Sequence, residues 1–171
     1  MAFNVTLTNS NCIFSNTSTT VTENTPYENR VTADTNYNLA EDDIQVLMSG
    51  IDISESAIVY RDNYADITIQ EVTGDLIITA VASPNLLNVN LFVNNCIITN
   101  PDIQVPYGSR YQNTVAPIFG YLFVPNSVYV KIGDEKITAS VSPTKLEIDT
   151  TATSDITICC YGIKASGRFS I

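Results

Sequence analysis

Asn4-Val5-Thr6-Leu7 returns as Asn88-Val89-Asn90-Leu91, and Asn11-Cys12-Ile13 returns as Asn95-Cys96-Ile97. The same offset of 84 relates Val21 to Val105, Tyr27 to Tyr111, Asn29 to Asn113, Val31 to Val115, Tyr37 to Tyr121 and Val46 to Val130. Roughly thirteen of about forty positions are identical without a gap, which marks an internal duplication. With a gap or two the match continues through Ile53/Ile137, Ile67/Leu146 and Thr73-Gly74-Asp75-Leu76/Thr153-Ser154-Asp155-Ile156. The chain therefore reads as one module written twice, over residues 1–84 and 85–171, with Ser83-Pro84-Asn85 as the junction. Doubling a small module is how spacers, fibres and binding arrays are built, and enzymes are rarely built that way.

Within each module the apolar residues alternate with polar ones. Val5 and Leu7 alternate with Asn4, Thr6 and Thr8, and Ile44, Val46 and Met48 follow the same period of two. Leu76 to Val81, Val89 to Val93, Val128 to Ile132 and Ile156 to Cys160 are short runs rich in Val, Ile and Thr. Ser49-Gly50, Thr73-Gly74-Asp75, Tyr107-Gly108-Ser109 and Ile132-Gly133-Asp134 punctuate them as turns. Asn38 to Asp43 is the one stretch that suits a helical turn. Six or seven strands in about 80 residues predict an all-β fold of two tandem small immunoglobulin-like β-sandwich domains.

Composition sets limits on function. Hydrophobic residues make up 44% of the chain and charged ones 15%, as in a folded protein. No run of about 18 apolar residues is present, so no membrane insertion by a helix is expected. Met1-Ala2-Phe3-Asn4-Val5-Thr6 has neither a basic start nor an apolar core, so no signal peptide is expected. Without export, Cys12, Cys96, Cys159 and Cys160 are expected to stay reduced. Residues 1–84 hold twelve acids against Arg30 and Arg61, whereas residues 85–171 hold six acids against six bases. The whole net charge of −10 thus belongs to module one, which disfavours nucleic acid as a partner. A solvated acidic surface is the simplest reading of that charge.

The chain has no histidine, which removes the common general base, the Ser–His and Cys–His pairs and the usual zinc ligand. The cysteines lack Cys-x-x-Cys spacing, and no glycine-rich loop precedes a helix. Paired carboxylates could hydrolyse glycosides, but that chemistry uses a deep cleft with aromatic platforms, and tryptophan is absent. Glu41-Asp42-Asp43 and Asp62-Asn63-Tyr64-Ala65-Asp66 carry oxygen ligands that calcium would accept. Neither has a regular loop spacing and module two lacks both, so hydrated loops are the preferred reading. No catalytic residue, cofactor or metal site is assigned.

Tyr27/Tyr111 and Tyr37/Tyr121 recur at matching positions, which favours packing roles such as a corner tyrosine. Module two holds nine aromatics against six, with Phe119, Tyr121 and Phe123 close together, and it is electrically neutral. It is therefore the expected interface module. Its candidate contact residues are Tyr107, Phe119, Phe123 and Tyr129, joined by Lys164, Arg168 and Phe169 in a tail taken to run from Gly162 to Ile171.

Tyr37-Asn38-Leu39, Met48-Ser49-Gly50-Ile51-Asp52-Ile53 and Val72-Thr73-Gly74-Asp75-Leu76-Ile77-Ile78-Thr79-Ala80 together resemble small immunoglobulin-like repeats. Such repeats occur in tail and head proteins of bacteriophages and in some bacterial surface proteins. The likeness covers most of module one. It fades in module two, where Gly133-Asp134-Glu135-Lys136-Ile137 stands in place of the turn. It implies a non-enzymatic virion component, made in the host cytoplasm and bound to the major capsid protein or another virion protein. A capsid decoration or head-fibre protein is the favoured form, with module two and its tail as anchor and module one outward. A tail, collar or baseplate component, or an adhesin for host-surface glycans, is the alternative. Association into a homo-oligomer is compatible with either.

Overall fold

Short runs of β-branched residues with period-two burial leave each strand one apolar face, and two such faces must be brought together to bury it. The computed structural model describes residues 1–124, 126–137 and 139–165, and divides the chain into two compact units, Met1–Asn85 and Leu86–Ile171. In unit 1 the strands are β1 (Ala2–Ser10), β2 (Cys12–Phe14), β3 (Thr20–Thr22), β4 (Tyr27–Ala33), β5 (Tyr37–Asn38) and β6 (Ile44–Met48). They continue as β7 (Ile51–Asp52), the helical turn α1 (Ser54–Ala57), β8 (Ile58–Tyr60), β9 (Tyr64–Ile69), β10 (Leu76–Val81) and β11 (Ser83–Pro84).

One sheet has the order β3-β1-β10-β6-β7 and the other β2-β4-β9-β8. β1 runs parallel to β10, with Val5 opposite Leu76 and Ser10 opposite Val81, while β10 and β6 are antiparallel. Asn11, at φ 56°, turns the chain from β1 in one sheet to β2 in the other. Asparagine adopts that left-handed conformation more readily than most residues. Val5, Val46, Leu76 and Ile78 of the first sheet and Tyr27, Val31, Ala65 and Ile67 of the second share one buried cluster. The unit is a β-sandwich-like all-β fold.

Unit 2 repeats the pattern. Its strands are β12 (Leu86–Asn94), β13 (Cys96–Ile98), β14 (Gln104–Pro106), β15 (Arg110–Pro117) and β16 (Tyr121–Phe123). β17 (Tyr129–Ile132), β18 (Glu135–Ile137), β19 (Ser140–Ser142), β20 (Lys145–Thr151) and β21 (Ile156–Lys164) complete it. The sheets are β14-β12-β21-β17-β18, with β16 also on β21, and β13-β15-β20-β19. β12 is parallel to β21 as β1 is to β10, and Asn95 at φ 53° makes the same turn as Asn11. Asp75 Oδ1 accepts the Asn4 N–H at 2.8 Å, and Asp155 Oδ1 accepts the Asn88 N–H at 2.8 Å.

A buried asparagine is conserved between the units along with its partners. Asn29 Nδ2 donates to Asn16 O at 2.7 Å and Tyr27 Oη at 2.8 Å, while its Oδ1 accepts from Asn16 N and Ser15 Oγ. Asn113 Nδ2 donates to Asn100 O at 2.7 Å and Tyr111 Oη at 2.6 Å, and its Oδ1 accepts from Asn100 N and Thr99 Oγ1. Tyr27 and Tyr111 are each 3% exposed, so these repeated tyrosines hold structure, and each hydroxyl meets an asparagine amide.

Several sequence expectations need correction. Ala65 faces Val31 and Leu146 faces Val115, so Leu146 corresponds to Ala65, while the partner of Ile67 is Ile148. Asn38 to Asp43 does not form a helical turn, because Asp42 sits at φ 75°, outside helical space. The helical turn lies at α1, where Asp52 Oδ1 accepts the Ser54 N–H at 2.9 Å. Ser83-Pro84 is a strand of unit 1, paired with Tyr37-Asn38. The equivalent Ile163-Lys164 pairs with Leu122 and Tyr121. Gly162 to Lys164 therefore belong to the sheet and are no tail. Even the closing bond repeats: Asn85 N donates to Asn36 O and Ala165 N to Gly120 O.

Candidate functional site

Because strands alternate, the sheet β12-β21-β17 has one face in the core and one face outward. Val89, Leu91, Ile156, Ile158, Cys160 and Val130 take the inward positions. Register then fixes what shares the outward face: Phe92 lies opposite Cys159, and Cys159 opposite Tyr129. One step along, Tyr161 occupies the next outward position of β21, and Ile163 follows, opposite Leu122 of β16. Phe92 is 64% exposed, and Tyr161, Ile163 and Leu122 are exposed as well. At the other end of the face Lys131 lies opposite Lys136. Their ammonium groups stand 6.0 and 5.4 Å from the centroid of the Tyr129 ring, within reach of its negative face.

Unit 1 supplies an internal reference for this face. The register places Thr8 where Phe92 stands, Thr79 for Cys159, Gln45 for Tyr129, Val81 for Tyr161, Ser83 for Ile163 and Asn38 for Leu122. Thus the same fold, in the same chain, tolerates a mostly polar surface at these positions. Stability does not require the apolar set in unit 2, and a contiguous exposed apolar surface of this kind is characteristic of contact sites.

The residues singled out from the sequence fall in different places. Tyr129 lies on the outward face, half-buried beneath its lysines. Phe119 is fully exposed at the tip of the turn from Ile118 to Tyr121, closed by the bond from Tyr121 N to Ile118 O. The equivalent tip residue in unit 1 is Thr35, between Asp34 and Asn36. Lys164 is exposed at the same end, opposite Tyr121. Tyr107 is half-buried at the opposite end, beside Gly108, whose N–H bonds Ala152 O. Phe123 is 8% exposed and belongs to the core, so it is no contact residue: it sits opposite Gly162 on the inward side. Arg168 and Phe169 lie outside the described residues. Sequence reading missed Phe92, Leu122, Cys159, Tyr161 and Ile163. Comparing the modules at the offset of 84 brings out Phe92 and Leu122, whereas the drop to 80 before β21 hides the correspondence of Cys159, Tyr161 and Ile163.

In unit 1 an open cleft of about 970 Å³ is lined by Glu41, Asp42, Asp52, Glu55 and Tyr60 together with Ile44, Ile53 and Ile58. The hydroxyl and N–H of Ser54 and the amide of Gln45 hold the Asp52 carboxyl below its ordinary range. Asp43 Oδ2 accepts the Ala40 N–H, and Asp66 is paired with Arg30 at 2.8 Å. Among the described residues no three or more cysteine and acidic side chains converge to hold a metal. The four cysteines are free thiols. Burial, with the nearby Cys96 and Cys159 thiols, pushes Cys160 up to about 12, and burial also raises Cys12. Neither is a poised nucleophile. Among the described residues no helix is long and apolar enough to cross a membrane.

No family model matches the chain, nor does any curated protein or any solved structure.

Proposed function

We propose that this chain is a non-enzymatic structural component of a bacteriophage particle, a capsid decoration or head-fibre protein. In this reading two immunoglobulin-like sandwiches stand in tandem, and unit 2 makes the contacts to the major capsid protein or another virion protein. The parallel pairing of β1 with β10 and of β12 with β21 supports the immunoglobulin-like assignment. The resemblance of the Met48 to Ile53 turn and the Thr73 to Ala80 strand to phage repeats supports the setting.

The observation that carries the contact role is the difference between two copies of one module. Phe92, Phe119, Leu122, Tyr161 and Ile163 are exposed in unit 2. All but Tyr161 replace Thr, Asn or Ser at the equivalent positions of unit 1. Exposed apolar groups weaken solubility, so the gathering of this set in one copy of a duplicated module supports reading that copy as the one that binds.

The test is cryo-microscopy of particles lacking this chain after addition of the full-length protein, compared with its Phe119→Thr variant. Density on the capsid surface that the variant fails to restore supports the reading. Density confined to the tail moves the chain to a tail, collar or baseplate component. Binding to host cells or glycans without any binding to particles overturns it.

A further inference from the structure

We propose that the outward face of β12-β21-β17, extended by β16, is covered by the same face of a second copy of this chain, forming a two-fold dimer through unit 2. The inference rests on reading unit 2 as the contact module, and it leaves the Phe119 turn free for attachment.

Three observations select a second copy as the occupant. The first is complementarity of surface. An apolar face is best covered by another apolar face, and the equivalent face of unit 1 sets Thr8, Thr79, Gln45, Asn38 and Ser83 around Val81, with Leu47 and Ile77 in the row beyond. That face would strand its own hydroxyls and amides against Phe92 and Ile163. The same face of a second copy carries Phe92, Leu122, Tyr161 and Ile163 in return.

The second is area. Large side chains exposed by half or more, as Phe92 and Ile163 are, sum with Tyr161 and Leu122 to roughly 400 Å² of surface. That is the apolar centre expected of a standard contact of about 800 Å² per partner, whose rim is polar. Asn90, Asn94, Thr157 and the lysines supply such a rim.

The third is charge. Unit 2 has as many acids as bases, so the contact brings together two neutral modules and not the −10 of unit 1. Lys131 and Lys136 both lie at one end of the face, in the row of Thr157. A two-fold axis running across the strands near Tyr161 sends the lysines of the two copies to opposite rims. Closed two-fold contacts between identical patches are also the commonest form of self-association. Phe92, Cys159 and Tyr161 would lie closest to the axis.

The experiment is sedimentation equilibrium and light scattering of the full-length chain in reducing buffer, over a micromolar concentration series. The comparison is the triple variant Phe92→Thr, Leu122→Asn, Ile163→Ser, which installs residues that unit 1 already carries at these positions. Its thermal melt must match the parent, and the single variant Phe92→Thr serves if the triple variant melts early. The proposal expects a dimer in the parent and association weakened at least ~100-fold in the variant, since six apolar side chains leave the contact. A monomeric parent, a trimer, or a dimer that the variants leave intact overturns it. The particle experiment above is independent. Failure to dimerise with particle binding retained removes this inference alone, and a dimer that binds no particle removes only the virion reading.

Discussion

Replacing Asn113 by alanine should cost unit 2 about 3 kcal/mol, because one side chain satisfies a buried tyrosine and pins a loop. Asn113 is 5% exposed and makes five hydrogen bonds, to Tyr111, Asn100, Thr99 and the Thr114 N–H. Truncation strands the Tyr111 hydroxyl in a residue that is itself 3% exposed. An unsatisfied buried group of that kind costs about 1–3 kcal/mol, and each lost bond to Asn100 adds about 0.5–1.5 kcal/mol net. For a unit of this size 1 kcal/mol moves the melting midpoint by roughly 4–8 °C, so the shift should exceed about 10 °C. Urea unfolding and calorimetry both read it. Tyr111→Phe is the companion: it removes the hydroxyl but leaves four of Asn113's five bonds, and should cost about 1 kcal/mol. In the double variant no tyrosine hydroxyl is stranded, so its cost should fall short of the sum of the two singles. Asn29→Ala and Tyr27→Phe should repeat the pattern in unit 1. An Asn113→Ala variant within about 0.5 kcal/mol of the parent, or strict additivity in the double variant, would refute the reasoning.

Ile158→Ala and Ile78→Ala remove equivalent, fully buried side chains, and each should destabilise its own unit by about 2–5 kcal/mol in denaturant titrations. A Cβ on Gly74 would lie 1.8 Å from Ser49 Oγ, so Gly74→Ala should lower the melting midpoint. Ser49→Gly removes that hydroxyl and relieves a serine at φ 51°, and should restore most of the loss when combined with Gly74→Ala. Cys160 is protonated in the fold up to about pH 12, against an ordinary value of 9.0. Its folded pKa is the higher one, so its contribution is intact below pH 9 and lost as pH rises towards 12. Melting midpoints measured upward from pH 8 should therefore fall, and Cys160→Val should flatten the fall. In the folded Phe92→Thr, Leu122→Asn, Ile163→Ser variant, whose outward face is uncovered, an aromatic disulfide reagent should label Cys159 before Cys12 and Cys160, because Cys159 faces outward and the others are buried; mass spectrometry of the labelled peptides checks the order.

The fold was legible because burial repeats with the strand period. Val5, Leu76, Ile78 and Val46 announce one sheet and Tyr27, Val31 and Ile67 the other, and both sets recur in the second copy. The charge asymmetry was visible too, being a property of composition alone. What alternation does not supply is register. Phe123 and Phe119 look alike in the sequence, four residues apart and both aromatic. One fills the core opposite Gly162 and the other stands in solvent, because a turn through Gly120 at φ 82° separates them. Lys164 resembled a tail residue until the pairing of β16 with β21 showed it to be the counterpart of Pro84.

A duplicated module also changes how surface residues can be weighed. In a single domain an exposed phenylalanine is ambiguous, since more than half of an ordinary protein surface is apolar. Here unit 1 states what the fold itself asks for at each position. Val46 and Val130, Ile78 and Ile158, and Asn29 and Asn113 agree, and all are buried. Thr8 and Phe92, Asn38 and Leu122, and Ser83 and Ile163 disagree, and in each pair the unit 2 residue is exposed. Agreement inside with divergence outside is the pattern that a shared fold with separate contact duties produces. The first set predicts large losses of stability on substitution, and the second predicts loss of association with the melt unchanged. Substituting one residue from each set, Ile158 and Phe92, separates the two kinds of residue in a single pair of experiments.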